Sequence, residues 1–65
     1  MLRAYFHNRK KLKNFKILLK ELYIIDLREH YVKEAIKPFT VLDIRNPKGQ
    51  LYKFLDDNKI YYLSD

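Results

Sequence analysis

The sequence predicts an α+β fold: two N-terminal helices packed on a three-stranded antiparallel β-meander, with Leu2–Phe6 able to add a short edge strand. Three observations lead there. From Arg9 onward Leu12, Phe15, Leu18, Leu19, Leu22 and Tyr23 recur at helical spacing and cover an arc of about 140°. Asp26-Leu27-Arg28-Glu29 has the form of an Asp-x-x-Glu capping box, which opens a second helix. Phe39 to Leu63 reads as three short strands divided by two turns.

Taken in order, Leu2–Phe6 is a short strand or an ordered arm, and Asn8 is an acceptable N-cap for the first helix. The β-leaning run Tyr23-Ile24-Ile25 weakens that helix. A single kinked helix over 9–36 and a strand at 22–26 are the alternatives there. In the second helix Leu27, Tyr31, Val32, Ala35 and Ile36 form the apolar side. Glu29–Lys33 and His30–Glu34 are i,i+4 neighbours outside, and Pro38 stops it.

Asn46-Pro47-Lys48-Gly49 carries type I turn chemistry, with Gly49 free to take positive φ. Closure there pairs Ile44 with Tyr52 and Leu42 with Phe54 on one face, and Asp43 with Lys53 and Val41 with Leu55 on the other. The second turn, Asp56-Asp57-Asn58, suits a left-handed Asn58 and brings Ile60 and Tyr62 to the core face. A two-residue turn at Asp57-Asn58 would bring Tyr61 and Leu63 there instead. In the first register Val41, Leu51, Leu55, Tyr61 and Leu63 share the outer face with Asp43, Arg45 and Lys53. A solvated face should be mainly polar. This one calls for a cover: the Leu2–Phe6 segment, a second copy in a homodimer, or a protein partner.

The 65 residues make one domain, 1–65, small enough to be marginally stable and without a cysteine to staple it. Hydrophobic content of 48%, including six Tyr and four Phe, excludes disorder even at net charge +6. No apolar run is long enough for a membrane span, and the lysine-studded start lacks a signal-peptide core, so a cytoplasmic protein is expected.

Catalytic signals are thin. His7 and His30 have no cysteine partners and no metal-ligand spacing. Asp56 and Asp57 are explained by turn chemistry, and a chain with one glycine has no phosphate-cradling loop. Neither enzyme, metal nor cofactor is expected. Charge is the stronger signal. Residues 1–20 hold seven basic side chains and no acid, whereas residues 21–65 hold seven basic and eight acidic ones.

Arg9, Lys13, Lys16 and Lys20 form a stripe about 60° wide beside the apolar arc, with Lys10 nearby. Such a row fits a phosphate backbone; it also fits a merely solvated helix or a membrane-surface helix. The aromatics Tyr52, Phe54, Tyr61 and Tyr62 are compatible with base stacking or with core packing. The expected function is therefore non-enzymatic: sequence-independent nucleic-acid binding through Arg9, Lys10, Lys13, Lys16 and Lys20. The alternative is a small protein-binding modulator or inhibitor that docks on a larger cellular machine through Val41, Leu51, Leu55, Tyr61 and Leu63.

Overall fold

The computed structural model describes residues 1–65 as six elements: β1 (Leu2–Phe6), α1 (Arg9–Glu21), β2 (Leu27–Val32), β3 (Phe39–Ile44), α2 (Gly49–Asp57) and β4 (Tyr62–Ser64). The chain is α+β, with two helices and a four-stranded antiparallel sheet.

β1 forms because Leu2, Ala4 and Phe6 alternate with Arg3 and Tyr5, and the first set is buried. The start of α1 is where the sequence puts it: Asn8 Oδ1 accepts from the Lys11 backbone N–H at 3.0 Å. Its end follows from local chemistry too. The Ile24 N–H donates to the Leu19 carbonyl at 2.9 Å and the Tyr23 N–H to the Lys20 carbonyl at 3.1 Å, with Tyr23 left-handed at φ 57°. This is a Schellman motif, closed by apolar contact between Leu19 and Ile24. α2 ends the same way. Ile60 donates to Leu55 at 2.9 Å and Lys59 to Asp56 at 3.2 Å, with Lys59 at φ 55°. The left-handed residue is thus Lys59 rather than Asn58, whose φ is −96°.

Larger sequence expectations are overturned as well. The second helix expected from Asp26 is strand β2, paired antiparallel with β3 from Leu27 opposite Ile44 to Val32 opposite Phe39. The capping-box residues have other partners: Asp26 lies 3.8 Å from Arg45, and Glu29 lies 2.6 Å from Lys16 of α1. β2 is an edge strand with polar residues on both faces, so its two-residue period is faint and sheet pairing outweighs local helix preference.

The expected 39–55 hairpin is also replaced. Leu51, Phe54 and Leu55 sit at i, i+3 and i+4 on α2, where Leu51 and Leu55 are buried. Gly49 opens that helix and has no positive φ. None of the pairs Ile44–Tyr52, Leu42–Phe54, Asp43–Lys53 or Val41–Leu55 forms, because β3 lies between β1 and β2.

The sheet order is β2-β3-β1-β4, so Leu2–Phe6 is an interior strand and not an edge. Each βαβ unit leaves a gap between its own strands that a strand of the other unit fills. This is the split βαβ, or ferredoxin-like, arrangement. Both helices cover one face. Phe15 and Leu19 of α1, Leu51 and Leu55 of α2, and Leu2, Ala4, Phe6, Leu42 and Ile44 of the sheet make one core. Ring centroids of Phe6 and Phe15 are 5.1 Å apart, and those of Phe15 and Phe54 are 5.4 Å apart. The Tyr62 hydroxyl donates to Asp56 Oδ1 at 2.9 Å, and the Tyr52 hydroxyl lies 2.9 Å from Ser64 Oγ, which ties the short β4 to α2. No helix is long and apolar enough to cross a membrane.

Candidate nucleic-acid interface

Two surfaces carry the residues of interest, one on each layer. On the helix layer, the basic stripe of α1 flanks the edge strand β2. Two helices do not cover four strands. On the helix side of β2 Leu27 packs against the core, but beyond it the strand is left open, and Tyr31 is 59% exposed although it points to that side. Lys16, the stripe residue nearest the apolar arc, turns into this opening and pairs with Glu29. Arg9, Lys13 and Lys20 are exposed and make no ion pair, and neither does exposed Lys10 on the far side of the helix. Lys11 faces the other way and donates to the Asn58 carbonyl at 2.8 Å. Between α1 and β2 runs a groove with Lys13, Lys16 and Lys20 along one wall and Ile17, Ile25 and Leu27 beside them.

The other layer is the open sheet face, which no helix covers. Strand alternation assigns it Arg3 and Tyr5 of β1, Phe39, Val41 and Asp43 of β3, Arg28, His30 and Val32 of β2, and Leu63 of β4. Tyr61 joins them at the head of β4, where its carbonyl accepts from the Tyr5 N–H at 3.0 Å. Three rings stand side by side: Tyr61 and Tyr5 have centroids 5.4 Å apart, and Tyr5 and Phe39 6.0 Å. His7 continues the row, 5.3 Å from Phe39.

The face holds one acid. Asp43 accepts from Arg3 Nε at 2.7 Å and Arg3 Nη2 at 3.2 Å, a fork-to-fork pair. That hydrogen bonding first, and the charges of Arg3 and Arg28 second, hold the Asp43 carboxyl below its ordinary range. The same pair holds the Arg3 guanidinium further above its usual value. Asp43 is therefore ionised and matched, and the remaining charge on the face is positive.

Of the five residues expected at an outer sheet interface, Val41, Tyr61 and Leu63 do lie on the open face. Leu51 and Leu55 do not: they are core residues of α2. The five basic residues expected to meet phosphate all lie on α1, with Lys16 already engaged. Phe39 and Lys59 are functional candidates missed by the sequence reading. The signal for Phe39 was the two-residue alternation of Phe39–Ile44, which separates it from the buried set as that of Leu2–Phe6 separates Tyr5. No protein-family model, curated protein or solved structure matches the chain.

Proposed function

We propose that this chain is a small non-enzymatic binding protein that contacts nucleic acid along its phosphate backbone, without sequence preference, through α1. The observation that carries the reading is the state of the cations on that helix. Arg9, Lys10, Lys13 and Lys20 are exposed with no acid paired to them, although the chain has eight acids to offer. A helix that only needed solvation would interleave both signs; this one carries no acid before Glu21. The cytoplasm is the setting that suits this reading.

Phosphate contact is tested by salt. About four contacts imply a log–log slope of binding against salt near −3.5 on duplex DNA. Replacing Arg9, Lys13 and Lys20 together by Gln should flatten that slope to about −1 while the circular dichroism spectrum stays unchanged. Binding indifferent to salt, or untouched by the triple change, would remove this reading. A second reading, a docking surface for a protein partner or a second copy, is favoured by one observation. Tyr61 and Leu63 on the open face are 66% and 49% exposed. Sedimentation of the wild type and of a Tyr61→Ser, Leu63→Ser variant separates it: self-association lost in the variant assigns the face to a homodimer.

A further inference from the structure

We infer that the open sheet face is a stacking platform for unpaired bases, so that single-stranded nucleic acid is the form this protein takes up. The inference rests on the nucleic-acid reading above and adds a second surface and a strand preference to it. Tyr61, Tyr5 and Phe39 are consecutive neighbours across β4, β1 and β3, with centroids 5.4 and 6.0 Å apart. They line a hollow of about 430 Å³ whose remaining wall includes His7, Lys11 and Lys59. A row of rings flanked by Lys59 suits a ligand that carries both flat bases and phosphates. Four-stranded sheets that bind RNA stack two or three bases on their aromatics in this way.

Charge complementarity decides against a protein occupant. The one carboxylate on the face is consumed by Arg3, so Arg28 on the face and Lys59 beside the hollow present a positive surface with no acid of its own to pair. A second copy of the chain would bring the same unpaired cations against these. A polyanion meets the requirement and a duplex does not, because paired bases keep their faces inside the stack.

The two surfaces of the molecule also meet. His7 and Phe39 line both the hollow on the sheet face and the opening between α1 and β2 that holds Arg9 and Lys16. A strand stacked on the sheet can turn over this end and set its next phosphates against the first turn of α1.

The test is fluorescence anisotropy with a labelled oligothymidylate of about twelve nucleotides and a duplex of similar length. The single strand should bind at least tenfold more tightly than the duplex. Tyr61→Ala should weaken it about fivefold to 150-fold, the range that ~1–3 kcal/mol per stacked base spans. Tyr61→Phe should bind as the wild type does, which preserves the test if the alanine variant does not fold. Lys59→Asn, which keeps a residue tolerant of left-handed backbone, should weaken the single strand and leave the duplex unchanged.

Equal binding of strand and duplex, abolished by the α1 triple change and indifferent to Tyr61→Ala, overturns the platform and leaves the helix reading intact. Absence of binding to both overturns both. A homodimer dissolved by Tyr61→Ser, Leu63→Ser without any strand binding assigns the face to self-association and overturns the platform as well.

Discussion

Asp43 sits between Arg3 and Arg28 on neighbouring strands, and its depressed titration makes a residue-scale prediction with a definite sign. A carboxyl whose folded pKa lies below its unfolded one stabilises the fold at any pH above the unfolded value. It loses that contribution as pH falls through the folded value. Stability followed by urea denaturation should therefore decline on acidification below about pH 4, and Asp43→Asn should flatten that decline. The variant should be less stable than the wild type at neutral pH and similar to it in strong acid. It also leaves Arg3 unmatched, so single-strand affinity should rise rather than fall. A decline of unchanged steepness in the variant would place the acid sensitivity elsewhere.

At the scale of elements, both helices stop by the same device, with a left-handed residue that has a side chain: Tyr23 after α1 and Lys59 after α2. Glycine is the usual occupant because it escapes the clash of Cβ with the following carbonyl. Tyr23→Gly, at a residue that is 88% exposed, should stabilise the fold by about 0.5–1 kcal/mol, net of the greater freedom of unfolded glycine. In a domain this small, that amounts to a rise of roughly 2–8 °C in Tm. A fall would mean that Tyr23 makes contacts its exposure does not suggest. The same elements show what the sequence could and could not reveal. α1 was legible because a strong N-cap, thirteen helical residues and a one-sided apolar arc all agree. β2 was not, since Asp26 and Glu29 imitate a cap while Lys16 and Arg45, remote in sequence, claim them instead. α2 was misread as strand because Pro47 and Gly49 resemble a turn, and nine residues give a short helix little periodicity to announce itself. Which residues reach the open face depends on those assignments. Val41, Tyr61 and Leu63 survived the misreading, whereas Leu51 and Leu55 moved to the core.

For the whole molecule, the decisive feature is the interleaved strand order β2-β3-β1-β4. β1 lies between two strands of the second βαβ unit, and β3 between two strands of the first. Phe15 and Leu19 of one unit complete their burial against the same core as Leu51 and Leu55 of the other. Neither unit pairs a strand with another strand of its own; the three ladders, β1–β3, β1–β4 and β2–β3, all run between units. The only covalent link is the bend at 33–38, where every residue but Ala35 is exposed and none belongs to a strand or helix. The protein is thus built like a heterodimer whose two subunits share one backbone. Cut within that bend, peptides 1–35 and 36–65 should each be unstructured alone, yet recover the native far-ultraviolet spectrum when mixed in equal amounts. Recovery should depend on concentration as a bimolecular association does. A fragment that folded in isolation would show that one unit can close its own sheet.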